Sequence, residues 1–221
     1  MTPASGGVDR RQVLEQALPA LGIALHADQI TALLAYMDLI QKWTKVYNLT
    51  AVRDPSEMLT HHLLDSLAVI APLRRQLVDK SVSLRLLDVG SGAGLPGIVI
   101  AICCPDMTVH CVDTVGKKAA FIQQVAASLK LPNLRGVHAR VESLTDQYDI
   151  VSSRAFASLV DFTSWSGGAL AEQGVWMAMK GKYPKDEIAV LPAGVEVFHV
   201  EQLVVPGLDA ERCIVWMRVP S

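Results

Sequence analysis

The chain has 221 residues, 51% of them hydrophobic and 19% charged, with 20 Lys and Arg against 22 Asp and Glu for a formal net charge of −2. That length holds one large domain, or a compact domain with an extension, and so apolar a composition excludes wholesale disorder. The charge balance excludes a protein that coats nucleic acid through global basicity, so any such contact must come from a local patch.

Residues 1–8 (MTPASGGV) are small and polar and read as a frayed start. Val13, Leu14, Ala17 and Leu18 give a first helical pattern. Ile30, Leu33, Leu34, Met37, Ile40 and Trp43 give a second, with Asp28 as its N-cap. After an irregular stretch from Tyr47 to Pro55, a third helix is predicted through Met58, His62, Leu63, Asp65, Ser66, Leu67 and Ile70. Residues 1–80 thus read as a helical N-terminal extension, and residues 81–221 as the main domain. At Leu84 the period changes: LRLLDV is a short apolar run that stops at a glycine cluster, as a buried parallel strand does. Strand-like runs recur at 107–113, 134–139, 148–154 and 174–180, with helical stretches at Ile98 to Ile102, Lys117 to Leu129 and Leu159 to Leu170 between them. Alternation of this kind predicts βαβ units around a parallel sheet. The final runs, 195–205 and 212–219, are joined by a short Pro206-Gly207 loop without a helix, which predicts a terminal antiparallel hairpin.

Charges, Gly or Pro interrupt every long apolar stretch, and no start carries the pattern of a secretory signal, so a soluble, cytoplasmic chain is expected. Cys103, Cys104, Cys111 and Cys213 lack paired spacing and sit among apolar residues, where a thiol acts as a small buried hydrophobe. No metal site is expected.

The most informative segment is Asp88-Val89-Gly90-Ser91-Gly92-Ala93-Gly94-Leu95-Pro96-Gly97. Glycines after a strand let the backbone turn sharply and approach a ligand, and Pro96 suits the first turn of the next helix. Read as Gly92-x-Gly94-x-x-Gly97, the same residues match the dinucleotide fingerprint, so the motif alone leaves nicotinamide and S-adenosylmethionine cofactors open. Asp88 places a carboxylate near the loop, awkward for a pyrophosphate and acceptable for a cationic cofactor; its alternative role is to brace the loop. Asp113 ends the next strand, where a carboxylate can accept both hydroxyls of a ribose.

The terminal hairpin tips the reading: a seven-stranded, mostly parallel α/β sheet with one reversed strand resembles the Rossmann-like Class I S-adenosylmethionine-dependent methyltransferases. More closely, the chain resembles the bacterial small-subunit ribosomal RNA methyltransferase G family over about residues 12–218. The blocks that carry this are Trp43-x-x-x-Tyr47-Asn48-Leu49-Thr50, Arg53-Asp54-Pro55-x-Glu57-Met58, His62-x-Leu64-Asp65-Ser66, the glycine segment, Ser153-Arg154-Ala155-Phe156-Ala157 and Lys180-Gly181. The resemblance implies methyl transfer from S-adenosylmethionine to guanine N7 in the 530 loop of 16S rRNA, position 527 in the usual rRNA count, with 16S rRNA and the small ribosomal subunit as partners; a monomer is expected, since no long exposed apolar stripe demands a second copy. It implies that Gly90, Gly92, Gly94 and Leu95 contact the cofactor with Asp88 beside them, that Asp113 holds the ribose, that Val141 and Glu142 flank the adenine, and that Arg154 sits beside cofactor and target. His61 and Cys213 depart from the family's usual Arg and His.

Guanine N7 carries a lone pair and no proton, so alignment suffices and no catalytic base is required. Exocyclic amine methyltransferases usually carry an Asp/Asn-Pro-Pro-aromatic block where this chain reads Ser152-Ser153-Arg154-Ala155-Phe156, and no cysteine falls there to serve carbon methylation. Phe156 is a candidate platform for an extruded base, and Arg154 a candidate for positioning. Excesses of two positive charges between residues 42 and 75 and of four between 113 and 140 mark candidate phosphate contacts. RNA contacts are expected from Lys42, Lys45, Asn48, Arg53, His62, Lys117 and Lys180, with His62 and Asp65 as a local helical pair. A nicotinamide oxidoreductase and a non-catalytic ribosome-assembly binder are the competing readings.

Overall fold

The apolar run after Leu84 forms the centre of a seven-stranded sheet. A computed structural model describes residues 9–47, 49–50, 52, 54–76 and 83–220; Asn48 and Arg53 lie outside them. The strands are β1 (Arg85–Val89), β2 (Thr108–Asp113), β3 (Leu134–His138), β4 (Tyr148–Arg154), β5 (Leu170–Lys180), β6 (Glu196–Leu203) and β7 (Arg212–Arg218), in spatial order β3-β2-β1-β4-β5-β7-β6. The first five run parallel, and β7 inserts antiparallel between β5 and β6. The expected Rossmann-like architecture and its terminal hairpin are therefore present.

Alternate side chains of each strand enter opposite halves of the core. Leu86, Val109, Cys111, Ile150, Met177 and Trp216 face one half, and Leu87, Val112, Val151, Trp176, Val215 and Met217 the other. The first half is covered by α1 (Arg10–Ala17), α2 (Ala27–Tyr47), α6 (Gly97–Cys103) and α7 (Gly116–Ser128), so the N-terminal helices share a core with the sheet. The second is covered by α8 (Leu159–Ser166).

Local chemistry shifted several boundaries. Asp28 lies inside the first turn of α2 and does not cap it; the Ile30 N–H donates to the His26 carbonyl, and the Gln29 side chain accepts from the His26 N–H. The predicted third helix is broken into α3 (Pro55–Met58), a π-helical segment Leu59–Leu64, α4 (Asp65–Leu67) and α5 (Ile70–Gln76). Pro72 lacks an N–H and is tolerated in the first turn of α5, which favours a fresh helix start over continuation. α8 ends at Ser166 before Gly167-Gly168, poor helix formers, and Leu170 already belongs to β5. Leu203 pairs with Arg212, so the hairpin connection is longer than the Pro206-Gly207 turn inside it. A short helix, α9 (Lys185–Ala189), has too few residues for a periodic signal.

Candidate functional site

β1 delivers the chain into the glycine loop at the carboxyl edge of the sheet. Gly90, Gly92 and Gly94 have φ of +65°, +58° and +89°, a region that strains residues with a Cβ. The Gly90 N–H donates to the Val112 carbonyl at 2.9 Å, fixing the loop to the end of β2. Asp88 lies beneath, fully buried: its carboxylate accepts from the Gly97 N–H and the Ser152 hydroxyl, each at 3.0 Å. A Cβ on Gly97 would fall 2.3 Å from Cys111 Sγ and 2.9 Å from Asp88 Oδ2, so only glycine lets the helix start press this close. Burial pushes the Asp88 carboxyl up to about 7 against the opposing pull of these hydrogen bonds and of Arg154. Asp88 lines neither cavity described below; it braces the loop from underneath.

On one side of the loop lies a cleft of about 500 Å³, within the usual range for a small-molecule site. Gly90, Asp113, Lys118, Val141, Glu142 and Phe156 are on its wall. Asp113 Oδ2 accepts from the Gly92 N–H at 3.0 Å and Oδ1 from the Val115 N–H at 2.8 Å, with Lys118 Nζ 3.7 Å away. Each carboxylate oxygen has a second lone pair, so acceptor capacity remains for a diol. Glu142 is exposed and Val141 buried on a single 3₁₀ turn, Val141–Ser143, an apolar floor with a polar edge that suits a planar heterocycle.

On the other side of Gly90 is a smaller cavity of about 160 Å³, walled by Thr50, His62, Gly92, Leu95 and Arg154 among others; Gly90 and Ala155 border both spaces. His62 Nε2 and Thr50 Oγ1 are 2.6 Å apart. Burial, and then the Arg154 charge, push the imidazole down to about 4, so it is neutral at pH 7. The expected His62–Asp65 pair does not form. Asp65 instead receives Arg154 Nη1 at 3.0 Å and Arg212 Nε at 2.8 Å, and Arg154 also donates to the His61 carbonyl at 3.1 Å. Asp65, the first residue of α4, thereby joins the end of β4 to the start of β7, residues too far apart in the chain for spacing to pair them.

Lys42, Lys45 and Lys117 are exposed, and Lys117 Nζ lies 5.6 Å from the centre of the Tyr47 ring. Two other residues expected on the RNA face do not stand there. Lys180 is turned inward, donating to the Ala157 carbonyl at 2.9 Å and to Glu187 at 2.8 Å, because a carboxylate and a loop carbonyl converge on it. His62 is only 8% exposed. Arg74 is likewise engaged, on the Cys103 carbonyl at 2.9 Å, and Arg75 on Glu201. His61 is exposed, and Cys213 is buried in the core. Spacing gave no sign of Tyr36, whose buried hydroxyl donates to the Ala93 carbonyl at 2.6 Å. Among the described residues no three His, Cys, Asp or Glu side chains gather as a metal site, and no helix is long and apolar enough to cross a membrane.

A family model described as rRNA small subunit methyltransferase G matches residues 29–215. The Ribosomal RNA small subunit methyltransferase G of Polaromonas sp. (strain JS666 / ATCC BAA-500) is 68% identical over 212 residues, covering 95% of this chain and 94% of that one. Two crystal structures share the fold at low identity. TrmN from Thermus thermophilus has a TM-score of 0.57 at 18% identity, over 73% of this chain and 53% of that one. The ribosomal protein L11 methylase from Lactobacillus delbrueckii subsp. bulgaricus has a TM-score of 0.55 at 15% identity, over 71% of this chain and 79% of that one.

Proposed function

Since the chain belongs to the rRNA small subunit methyltransferase G family, and so methylates ribosomal RNA from S-adenosylmethionine on a Class I fold, we propose that its acceptor is guanine N7 in the 530 loop of 16S rRNA. The observation that carries this reading is the chemistry of the smaller cavity. Among the described residues its wall holds no carboxylate; Arg154 is tied to Asp65, and His62, with Nε2 on Thr50 and Nδ1 buried without a partner, is an imidazole whose basicity burial has lowered to about 4. A site without a carboxylate or a strong base suits an acceptor atom that has a lone pair and no proton to lose, which N7 has and an exocyclic amine does not.

S-adenosylmethionine, when bound, supplies an electrophilic methyl group on a sulfonium. The residues' roles follow from where they stand. Gly90, Gly92, Gly94 and Leu95 would hold the cofactor at the loop. Asp113 would accept the ribose hydroxyls, while Val141 and Glu142 would take the adenine. Arg154, fixed by Asp65 and the His61 carbonyl, is a positioning residue at the edge of the smaller cavity; it sets its charge beside the acceptor without bonding N7, since a bond there would occupy the reacting lone pair. Lys42, Lys45 and Lys117 serve the RNA backbone. Lys180 acts through the loop it holds.

The test is tritium transfer from labelled S-adenosylmethionine to small ribosomal subunits lacking the modification, with chromatography of the digested nucleosides. Label in 7-methylguanosine is expected. Label in another nucleoside overturns the acceptor atom, and subunit binding without any label would favour a non-catalytic assembly factor.

A further inference from the structure

Gly90 is the point where the two cavities meet, and a phenyl ring sits on it. A Cβ built on Gly90 would lie 2.2 Å from Phe156 Cδ2, 2.7 Å from Cε2 and 3.1 Å from Cγ, so the ring rests directly on the Gly90 α-carbon. Trp165 packs on the ring edge to face, with centroids 5.9 Å apart and planes at 78°. We propose that Phe156 is a gate: it closes the passage over Gly90 between cleft and smaller cavity, and must swing aside before a cofactor can extend from one to the other. The inference rests on the methyltransferase reading. S-adenosylmethionine has an adenosine half, for which the cleft with Asp113 is suited, and an amino-acid half joined through sulfur, for which the space beyond Gly90 remains. A ligand spanning both must cross the ground the ring holds.

The backbone around the ring is built for local movement. Ala155 has φ +48°, a left-handed conformation that is strained for any residue with a Cβ, and strain of this kind collects at switching segments. The chain is anchored on both sides of it. Arg154 is tied to Asp65 and the His61 carbonyl; Ala157 is tied to Lys180 through its carbonyl, and the Leu159 N–H donates to Glu187 at 2.7 Å. Rotation is thus confined to Ala155 and Phe156. The ring is 39% exposed, so leaving Gly90 sacrifices only part of a side chain's burial. Released next to the smaller cavity, it becomes an aromatic face for the acceptor base, which places cofactor binding before base capture.

Two probes separate the gate from the cofactor reading: S-adenosylhomocysteine, which spans both spaces, and adenosine, which needs only the cleft. Removing a gate raises the fraction of binding-competent protein, so Phe156→Ala should tighten S-adenosylhomocysteine about three- to tenfold relative to adenosine by calorimetry; the ring also stands on the cleft wall, so the ratio of the two affinities is the readout. With ribosomal subunits the same variant should lose kcat, since its platform is gone. In the wild-type chain S-adenosylhomocysteine should change the tryptophan emission more than adenosine does, since Trp165 stands on the cleft wall that both reach but only the former displaces Phe156 from it, and Trp165→Phe should abolish that excess. An unchanged or lowered ratio of S-adenosylhomocysteine to adenosine affinity in Phe156→Ala, or an emission change with adenosine as large as that with S-adenosylhomocysteine, overturns the gate. Failure of the wild-type chain to bind S-adenosylhomocysteine would instead bring down the cofactor reading, and the gate with it.

Discussion

Asp88 and His62 flank the glycine loop from below and from the side, and burial moves them in opposite directions. The Asp88 carboxyl rises from 3.8 to about 7, so between those values the folded chain holds a proton that the unfolded chain has released. Its contribution to stability is complete below about 4 and is lost as the pH rises through 7. His62 falls from 6.5 to about 4, so in that window the unfolded chain takes up a proton that the folded chain refuses; its contribution is complete above about 6.5 and lost as the pH falls. Over the shared window the two slopes oppose each other. Asp88→Asn should keep both loop contacts, since an amide oxygen accepts from the Gly97 N–H and an amide N–H donates to the Ser152 hydroxyl. With the Asp88 slope removed, urea denaturation at a series of pH values should show the variant gaining on wild type by up to about 1.4 kcal/mol per unit between pH 4 and 6.5. A stability difference that stays constant across that range would show that Asp88 does not titrate there.

The element that ties the proposed RNA face to the glycine loop is α2. Its 21 residues run from Ala27 to Tyr47, with Lys42, Lys45 and Tyr47 exposed towards its end, and midway Tyr36 is fully buried with its hydroxyl on the Ala93 carbonyl. Trp43 and Tyr36 both pack on Phe121 of α7, so the helix is seated against the same layer that carries Lys117. Tyr36→Phe removes one hydrogen bond and leaves a buried carbonyl without its donor, which costs about 1–3 kcal/mol. Because that carbonyl belongs to the loop, the variant should also bind S-adenosylhomocysteine several-fold more weakly, read as a higher KM for the cofactor with kcat little changed. Lowered stability with unaltered cofactor binding would show that Tyr36 only packs. The helical period revealed α2 and its apolar face, but it did not distinguish Tyr36 from any other core aromatic, because its partner lies 57 residues away.

For the whole molecule, a net charge of −2 rules out a general attractive field, so on the proposed reading RNA is gripped by a few lysines. Each phosphate contact contributes roughly 0.7–0.9 to the slope of log affinity against log salt. Lys117→Gln should therefore lower that slope by about one contact in filter binding to small subunits, while Lys180→Gln should leave it unchanged, its ammonium being held by Glu187 and Ala157. Local sequence by itself determined the strands, the crossover helices, the glycine turn and the carboxylate at the end of β2, because burial and backbone freedom leave period and composition in a short stretch of chain. Its family-matching blocks also located the residues that gather at the loop. Only the tertiary structure decided which polar groups are already spoken for: Asp88 beneath the loop, Arg154 and Arg212 on Asp65, Lys180 on Glu187, and Phe156 on Gly90. Such pairings join positions up to 147 apart, and a charged or aromatic residue looks the same in sequence whether it awaits a ligand or is held by its own fold.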